Sequence, residues 1–246
     1  MGDLGVSNIW MRVVIVFMMY LLSSLIIYVI IGQIFKESVN IQIRETSVLI
    51  NCGNIFSASG LRVIGCDTHF DTRVDDVVIS KTSLHGQLVL EHGKKSEIEL
   101  AVEAEASRLG LQKNNYGFYD FPLGTIIRYD SSIDGHTYLL LAMTKLDSQY
   151  KARTDMAQFE LMLMKMWREI DRVYARHDVV LPILGTGISR FDDGPKGKDE
   201  LLRCMLCTLN SSGVTLKSKV EILIFDEANK ISLYEYKDMF RSILRR

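Results

Sequence analysis

The sequence holds a short glycine-rich turn whose residue types suit the binding of a phosphate group. An apolar run, Val179–Leu184, leads directly into Gly185, Thr186 and Gly187, and a polar run follows before the next helical pattern. Glycines allow positive φ angles and close backbone approach, and successive backbone N–H groups in such a turn can surround an anion. A tight turn without any ligand needs the same glycines, so this motif alone leaves both interpretations open.

A second polar segment, residues 66–76, combines acidic side chains with a histidine. Its candidate functional residues are Asp67, Thr68, His69, Phe70 and Asp75. A histidine beside carboxylates can transfer protons as a general acid or base. The same residue types also cap turns or line a polar recognition loop. The composition of the segment therefore predicts a loop of interest without assigning its chemistry.

Apolar runs of strand length recur along the chain and predict a sheet. Several of them, such as Tyr138–Met143 and Val220–Phe225, are almost continuously apolar rather than alternating. Strands of that kind are buried on both faces, as in a sheet covered by helices on each side. The segments predicted as strands are Val39–Ile43, Val48–Ile50, Leu61–Gly65, Val77–Ser80, Gln87–Leu90, Thr125–Tyr129, Tyr138–Met143, Val179–Leu184 and Val220–Phe225.

Helical patterns lie between these runs. Ser96–Leu109 begins with a serine and a glutamate at capping-box spacing and ends before Gly110. Thr154–Arg176 places large apolar side chains on one face, which predicts a buried stripe. Two more helices are predicted at Asp199–Leu209 and Ser232–Leu244. Strands that alternate with helices predict a three-layer α/β/α domain.

The N-terminal part of the chain differs in composition from the rest. Residues 13–35, between Arg12 and Lys36, carry no charge and are almost wholly apolar. As a helix this run spans about 34 Å, close to the hydrocarbon thickness of a bilayer. A core helix is rarely apolar on every face, and the run lacks the small-residue cleavage site of a signal peptide. One transmembrane helix is predicted, with residues 1–35 as the anchor and residues 36–246 as the second domain, and the flanking charges leave its orientation open.

Charge and cysteine content exclude two other classes of protein. The 29 basic and 30 acidic side chains give a net charge of -1, whereas proteins that coat nucleic acid are far more basic. Nucleic acid is therefore not an expected partner. Cys204 and Cys207 lie in an apolar helical pattern and are interpreted as core residues. A CxxC without a second pair does not indicate zinc, so no metal site is predicted.

Several stretches of the chain resemble a known family. Residues 181–191, LPILGTGISRF, are similar to the phosphate loop of macro domains, which bind ADP-ribose and its derivatives. Residues 50–56, INCGNIF, resemble the adenosine-contacting motif of those domains, with Asn54 where an Asp is common. The Asn54 oxygen can still accept a hydrogen bond, without charge. GNIF, LRVIGCDTHFDTRVDD, VISKTSLHGQ and PLGT are more narrowly similar to the ThsA effectors of Thoeris anti-phage defence, over about residues 38–228.

The resemblance implies a mixed central sheet and a receptor of the membrane-type effector family. Such a receptor binds an ADP-ribose-derived second messenger, which a TIR-domain enzyme makes from NAD, and it responds by assembling as a homo-oligomer and disrupting the lipid bilayer. The family implies an inner-membrane protein with a cytoplasmic macro domain. The resemblance implies no cofactor. It implies no catalytic residue either, because residues 66–76 lack the asparagine pair of hydrolytic macro domains.

A membrane-tethered ADP-ribosyl hydrolase is the alternative function. In either case the resemblance implies one set of ligand-binding residues. They are Asn54, Ile55, Asp67, Thr68, His69, Phe70, Asp75, Leu184, Gly185, Thr186, Gly187, Ile188, Ser189, Arg190 and Phe191.

Overall fold

The computed structural model describes residues 4–34, 38–146, 152–187 and 190–225. Their helices are α1 (Leu4–Ile34), α2 (Leu84–Gln87), α3 (Lys95–Leu109), α4 (Met156–Val173) and α5 (Lys198–Ser212). Their strands are β1 (Ser38–Ile43), β2 (Thr46–Cys52), β3 (Leu61–Asp67), β4 (Ile126–Asp130), β5 (Thr137–Leu146), β6 (Ala152–Thr154), β7 (Val179–Pro182), β8 (Arg190–Phe191) and β9 (Val220–Ile224). A 3-10 helix, Ile55–Ser57, follows β2, and a π-helical turn, Leu88–His92, follows α2. The helix predicted at Ser232–Leu244 lies outside the described residues.

The strands form a mixed sheet with a parallel centre. Their order is β1-β2-β9-β7-β3-β5-β6-β8, and β4 pairs with β5 beside that path. Strands β2, β9, β7, β3 and β5 run parallel to one another. Strand β1 is antiparallel to β2, strands β4 and β6 are antiparallel to β5, and β8 is parallel to β6. The parallel strands therefore all end at one edge of the sheet, here named the carboxyl edge. Ligands of open α/β sheets bind at this kind of edge.

Helices cover both faces of the sheet and bury its apolar strands. Val63 and Ile64, neighbours in β3, point to opposite faces and belong to two separate core clusters. Helices α4 and α5 pack on the first face, where Trp167 is fully buried. Helix α3 packs on the second face through Ile98 and Val102. The predicted three-layer α/β/α architecture is confirmed.

Two of the predicted strands are wrong. Val77–Ser80 contributes only an isolated bridge between Val74 and Ile79. Gln87–Leu90 is helical, because Ser83 accepts a hydrogen bond from the backbone N–H of Gly86 and caps α2 at its start. A short apolar run fits either a strand or a helical turn, so its period could not decide between them.

The start of α3 also differs from the prediction. The N-cap residue of α3 is Lys94, whose side chain makes no capping hydrogen bond. The helix therefore does not begin with the predicted capping box at Ser96. At its other end, Gly110 adopts the left-handed conformation with φ 67°, as predicted from the sequence. Strands β6 and β8 were not predicted because they are too short to show a period.

Helix α1 is long and apolar enough to cross a membrane. The candidate span, Ile9–Val29, has 21 residues and a mean hydropathy of 2.2, and none of it is buried. A helix of the soluble core would bury one face at least. The structure thus has one N-terminal helix that meets the length and composition of a transmembrane segment.

Candidate functional site

Three of the predicted loops lie together at the carboxyl edge of the sheet. Residues 53–55 follow β2, residues 68–70 follow β3, and residues 183–187 follow β7. Strand β9 lies between β2 and β7 and ties both loops to itself. The N–H of Gly53 donates to the carbonyl oxygen of Ile224, and that of Ile183 donates to Leu223, each at 3.2 Å.

The loop after β2 is held by its own asparagine. Asn54 Oδ1 accepts the backbone N–H of Phe56 at 2.9 Å and so caps the 3-10 helix. That oxygen therefore already has one protein donor and keeps one lone pair for a ligand. Ile55 is buried in the core, so its side chain anchors the loop. The ring of Phe56 stacks on His92 with centroids 4.1 Å apart.

The aspartates of residues 66–76 stabilise turns by accepting hydrogen bonds from nearby donors. Asp67 Oδ1 accepts the backbone N–H of His69 at 2.7 Å. Both carboxylate oxygens of Asp71 accept hydrogen bonds from the Arg73 guanidinium. The exposed Asp75 accepts the N–H groups of Val78 and Val77, which lower its pKa. These contacts correspond to the capping role that the sequence left open beside acid–base chemistry.

His69 has a carboxylate partner that sequence reasoning missed. Its Nε2 lies 2.7 Å from Asp120 Oδ1, and its ring stacks on Phe118. Asp120 Oδ2 also accepts the amide Nδ2 of Asn114, and this hydrogen bond is the main cause of the lowered pKa of Asp120. No spacing in the sequence connects Asp120 to His69, because a loop before β4 brings the two together.

Phe70 lies in the same loop but points into the core. It is 3% exposed and packs edge-to-face on Phe121 at 5.0 Å between centroids. Thr68 is also buried, and its backbone joins the loop to β5 and to the segment before β4. The backbone of these residues, rather than the Phe70 ring, is what they can offer a ligand.

The glycine turn after β7 forms as the sequence predicts. Gly185 has a φ of 86°, which favours glycine, and a Cβ there would lie 3.3 to 3.4 Å from Leu201 and Phe159. Thr186 Oγ1 donates to the carbonyl oxygen of Ile183 at 2.9 Å and closes the turn. A Cβ at Gly187 would meet no atom of the described part of the chain within 4 Å. Gly185 is thus needed by the fold, whereas Gly187 faces open space.

The remaining predicted residues of this loop divide into three groups. Leu184 is buried in the core, so its side chain anchors the turn. Ile188 and Ser189 lie outside the described residues, and only the backbone of Arg190 is described, in β8. Phe191 is half-buried and packs edge-to-face on Phe159 with centroids 5.5 Å apart.

An exposed aromatic at the carboxyl edge was not predicted as a site residue. Phe225 directly follows β9 and is 67% exposed, although strands on both sides of β9 end in candidate loops. The sequence shows only an apolar run that ends in phenylalanine. The strand order was needed to place that ring between the loops after β2 and β7.

A cavity of about 460 Å³ lies at the ends of β3 and β5. Helix α4 forms one wall, and the segment before β4 forms another. The residues that line it are Thr68, His69, Asp120, Phe121, Pro122, Leu123, Lys145, Leu146, Gln158, Leu161, Met162 and Lys165. Among the described residues, no group of three or more His, Cys, Asp or Glu side chains is placed to hold a metal ion.

Comparison with known families identifies the domain. The model of the Thoeris protein ThsA macro domain matches residues 48–225. The chain belongs to the ThsA macro-domain family. It is 29% identical over 239 residues to the Thoeris protein ThsA of Bacillus amyloliquefaciens (strain Y2), covering 92% of this chain and 79% of that protein. The resemblance of the chain to the ThsA family is thereby confirmed.

Solved structures show the same fold. A point mutant of the Oceanobacillus iheyensis macrodomain with ADPR is 14% identical and has a TM-score of 0.57, over 85% of this chain and all of that one. The macrodomain of the same organism with ADP has a TM-score of 0.53 at 14% identity, over 83% of this chain and 96% of that one. At these identities the likeness shows the macrodomain fold alone.

Proposed function

We propose that this chain is a membrane-anchored receptor for a nucleotide derived from ADP-ribose. The observation that carries the proposal is the meeting of the predicted loops and Phe225 at one edge of a ThsA-type macro domain. The related macrodomain of Oceanobacillus iheyensis holds ADPR and ADP, which supports this class of ligand.

In this proposal the nucleotide extends along the carboxyl edge in the order of the strands. The adenine lies between residues 53–55 and Phe225, where an exposed ring can stack on a base. The diphosphate lies on the N–H groups of the turn at Gly185–Gly187. The distal ribose then lies one strand further, over Thr68 and His69 after β3.

The two parts of the chain have different roles in this receptor. Residues 1–35 anchor it in the inner membrane through α1, and residues 36–246 bind the nucleotide on the cytoplasmic side. A TIR-domain enzyme supplies the signal from NAD. Binding favours assembly of several copies and disruption of the bilayer, to the extent that the ligand binds the assembled state more tightly.

Titration of the full chain in detergent micelles with ADP-ribose tests this function. We expect stoichiometric binding without turnover of the nucleotide. Phe225→Ala should weaken binding about tenfold, because base–aromatic stacking contributes roughly 1–3 kcal/mol. Ile133→Ala is the control, since Ile133 is also exposed but lies in the turn before β5, at the opposite edge. No binding to the unmodified chain, or equal loss in both variants, contradicts the proposal.

A further inference from the structure

The N-terminal helix joins the sheet at the edge that carries the proposed nucleotide site. Strand β1 is antiparallel to β2, and its first residue, Ser38, pairs with Asn51 near the end of β2. The chain that comes from α1 therefore reaches the sheet at the carboxyl edge. Residues 53–55, which contact the adenine in the proposed function, begin two residues after Asn51.

The chain between α1 and β1 is too short to let this edge lie far from a bilayer that α1 crosses. Ile34 ends α1 and Ser38 begins β1, so their Cα atoms are at most about 14 Å apart even in a fully extended chain. The helix adds about 7.5 Å between Val29, the end of the candidate span, and Ile34. Ser38 thus lies within roughly 22 Å of the hydrocarbon boundary, and the headgroup layer itself is about 5–7 Å thick.

An exposed aromatic ring lies on the same part of the carboxyl edge. Strand β9 is two strands from β1, a lateral distance of about 10 Å. Cys52 pairs with Ile224, so Phe225 projects one residue beyond the end of β2. With 67% of its surface exposed, the Phe225 ring is available to the interfacial region of a bilayer, where apolar side chains are favoured.

The loops of the carboxyl edge on both sides of Phe225 carry no charge. They are residues 53–59 after β2 and residues 183–187 after β7. Burying an ion against a medium of low polarity costs free energy, whereas uncharged loops avoid this cost. This part of the edge can therefore approach the headgroups closely.

The amino edge, at the other end of the same strands, is charged. Arg44 and Glu45 form the turn between β1 and β2, and Glu45 pairs with Lys217 before β9. Arg176 and Asp178 are exposed before β7. These charges favour contact with water, so the distribution of charge along the strands agrees with the position at which α1 joins the sheet.

We propose that the uncharged part of the carboxyl edge, formed by residues 53–59, residues 183–187 and Phe225, lies against the lipid headgroups. This inference rests on the membrane anchor of the proposed function. The partner is the surface of the bilayer into which α1 inserts, and the contact uses uncharged loops and an aromatic ring rather than ion pairs with anionic lipid. A nucleotide bound at this edge would lie beside the point where the anchor enters the sheet.

The full chain in phosphatidylcholine nanodiscs tests this orientation through fluorescence quenching by a nitroxide on the lipid headgroup. Cys52 is exposed at the end of β2 and takes a bimane label, whereas Cys66 and Cys204 are buried. Cys207→Ser in every sample removes the remaining, half-buried thiol. The matched control is Glu45→Cys with Cys52→Ser, which moves the label to the other end of β2, roughly 23 Å away.

We expect the label at Cys52 to lose most of its fluorescence and the label at position 45 to lose little. The quenching at Cys52 should persist in about 1 M salt, which screens ionic contacts, because the proposed contact contains no ion pairs. Equal quenching at the two positions, or stronger quenching at position 45, overturns the inference.

The remaining outcomes separate this inference from the proposed function. No quenching at either position in a chain that has entered the nanodiscs overturns the inference and leaves the anchor in place. Loss of the Cys52 quenching in high salt overturns it as well, since the contact would then be ionic. Failure of the unmodified chain to enter nanodiscs overturns the anchor itself. The samples contain no nucleotide, so the result is independent of whether ADP-ribose binds.

Discussion

Gly124 packs so closely against Lys165 that any side chain at position 124 would collide with it. A Cβ at position 124 would lie 2.5 Å from the Cβ of Lys165, and the φ of 88° at this glycine is strained for any side chain. The contact joins the segment before β4 to α4 and so fixes two walls of the cavity at the carboxyl edge. Substitution here should therefore affect both the stability of the domain and the shape of the cavity.

Gly124→Ala should lower the free energy of unfolding substantially. The left-handed conformation costs about 1–3 kcal/mol for a residue with a side chain, and forced overpacking adds a similar amount. Urea unfolding of the full chain in micelles, followed by near-ultraviolet circular dichroism, measures the loss. Gly135→Ala is the control, because Gly135 also has a positive φ, 71°, but a Cβ there meets nothing within 4 Å. Equal losses in the two variants would contradict the importance of the α4 contact.

His85 should make the domain less stable in mildly acidic solution. It is 6% exposed, and burial lowers its pKa below 6.5, although nearby Asp67 and Asp71 oppose this shift. The unfolded chain then binds the proton more tightly than the folded one, so stability is complete above pH 6.5 and falls as the pH decreases below it.

The pH dependence of unfolding isolates this histidine. His85→Gln should flatten the loss of stability between about pH 6.5 and pH 5, before most carboxylates titrate. His136→Gln is the control, since His136 is exposed in the turn before β5. An unchanged slope in the His85 variant would show that this group does not produce the effect.

The sequence alone was sufficient to predict the layers of the fold and the positions of the main loops. Continuous apolar runs such as Val220–Phe225 identified buried strands, and the glycine turn identified the loop after β7. The period of a long amphipathic segment likewise predicted α4. These features depend on local composition, so a single sequence contains them.

Contacts that depend on strand order could not be predicted. The pairing of His69 with Asp120 and the position of Phe225 both require strands distant in the chain to become neighbours. The Gln87–Leu90 run was misassigned because a hydroxyl cap at Ser83, rather than its apolar period, decides its conformation. The burial of Phe70 could not be predicted either, since a phenylalanine in a polar loop can point into the core or towards solvent.

If α1 is a membrane anchor, as proposed, this helix inserts into a lipid bilayer. Leu22→Arg places a charge near the middle of the span Ile9–Val29 and should cost about 2.5–3.5 kcal/mol on insertion scales. The fraction of protein that resists alkaline extraction from membranes should fall accordingly. Leu90→Arg, at an exposed position of the π-helical turn, should leave that fraction unchanged. Recovery of the unmodified chain in the soluble fraction would contradict a membrane anchor.

The most direct test of the central claim compares two glycines of the same turn by calorimetric titration with ADP-ribose. Gly187→Val should abolish binding while unfolding stays unchanged, because its Cβ meets no atom of the described residues within 4 Å but occupies the proposed space of the diphosphate. Gly185→Val should lose stability as well, since it has a positive φ and lies against Leu201 and Phe159. Unchanged affinity for ADP-ribose in a stably folded Gly187→Val protein would contradict the assignment of this turn as the diphosphate site.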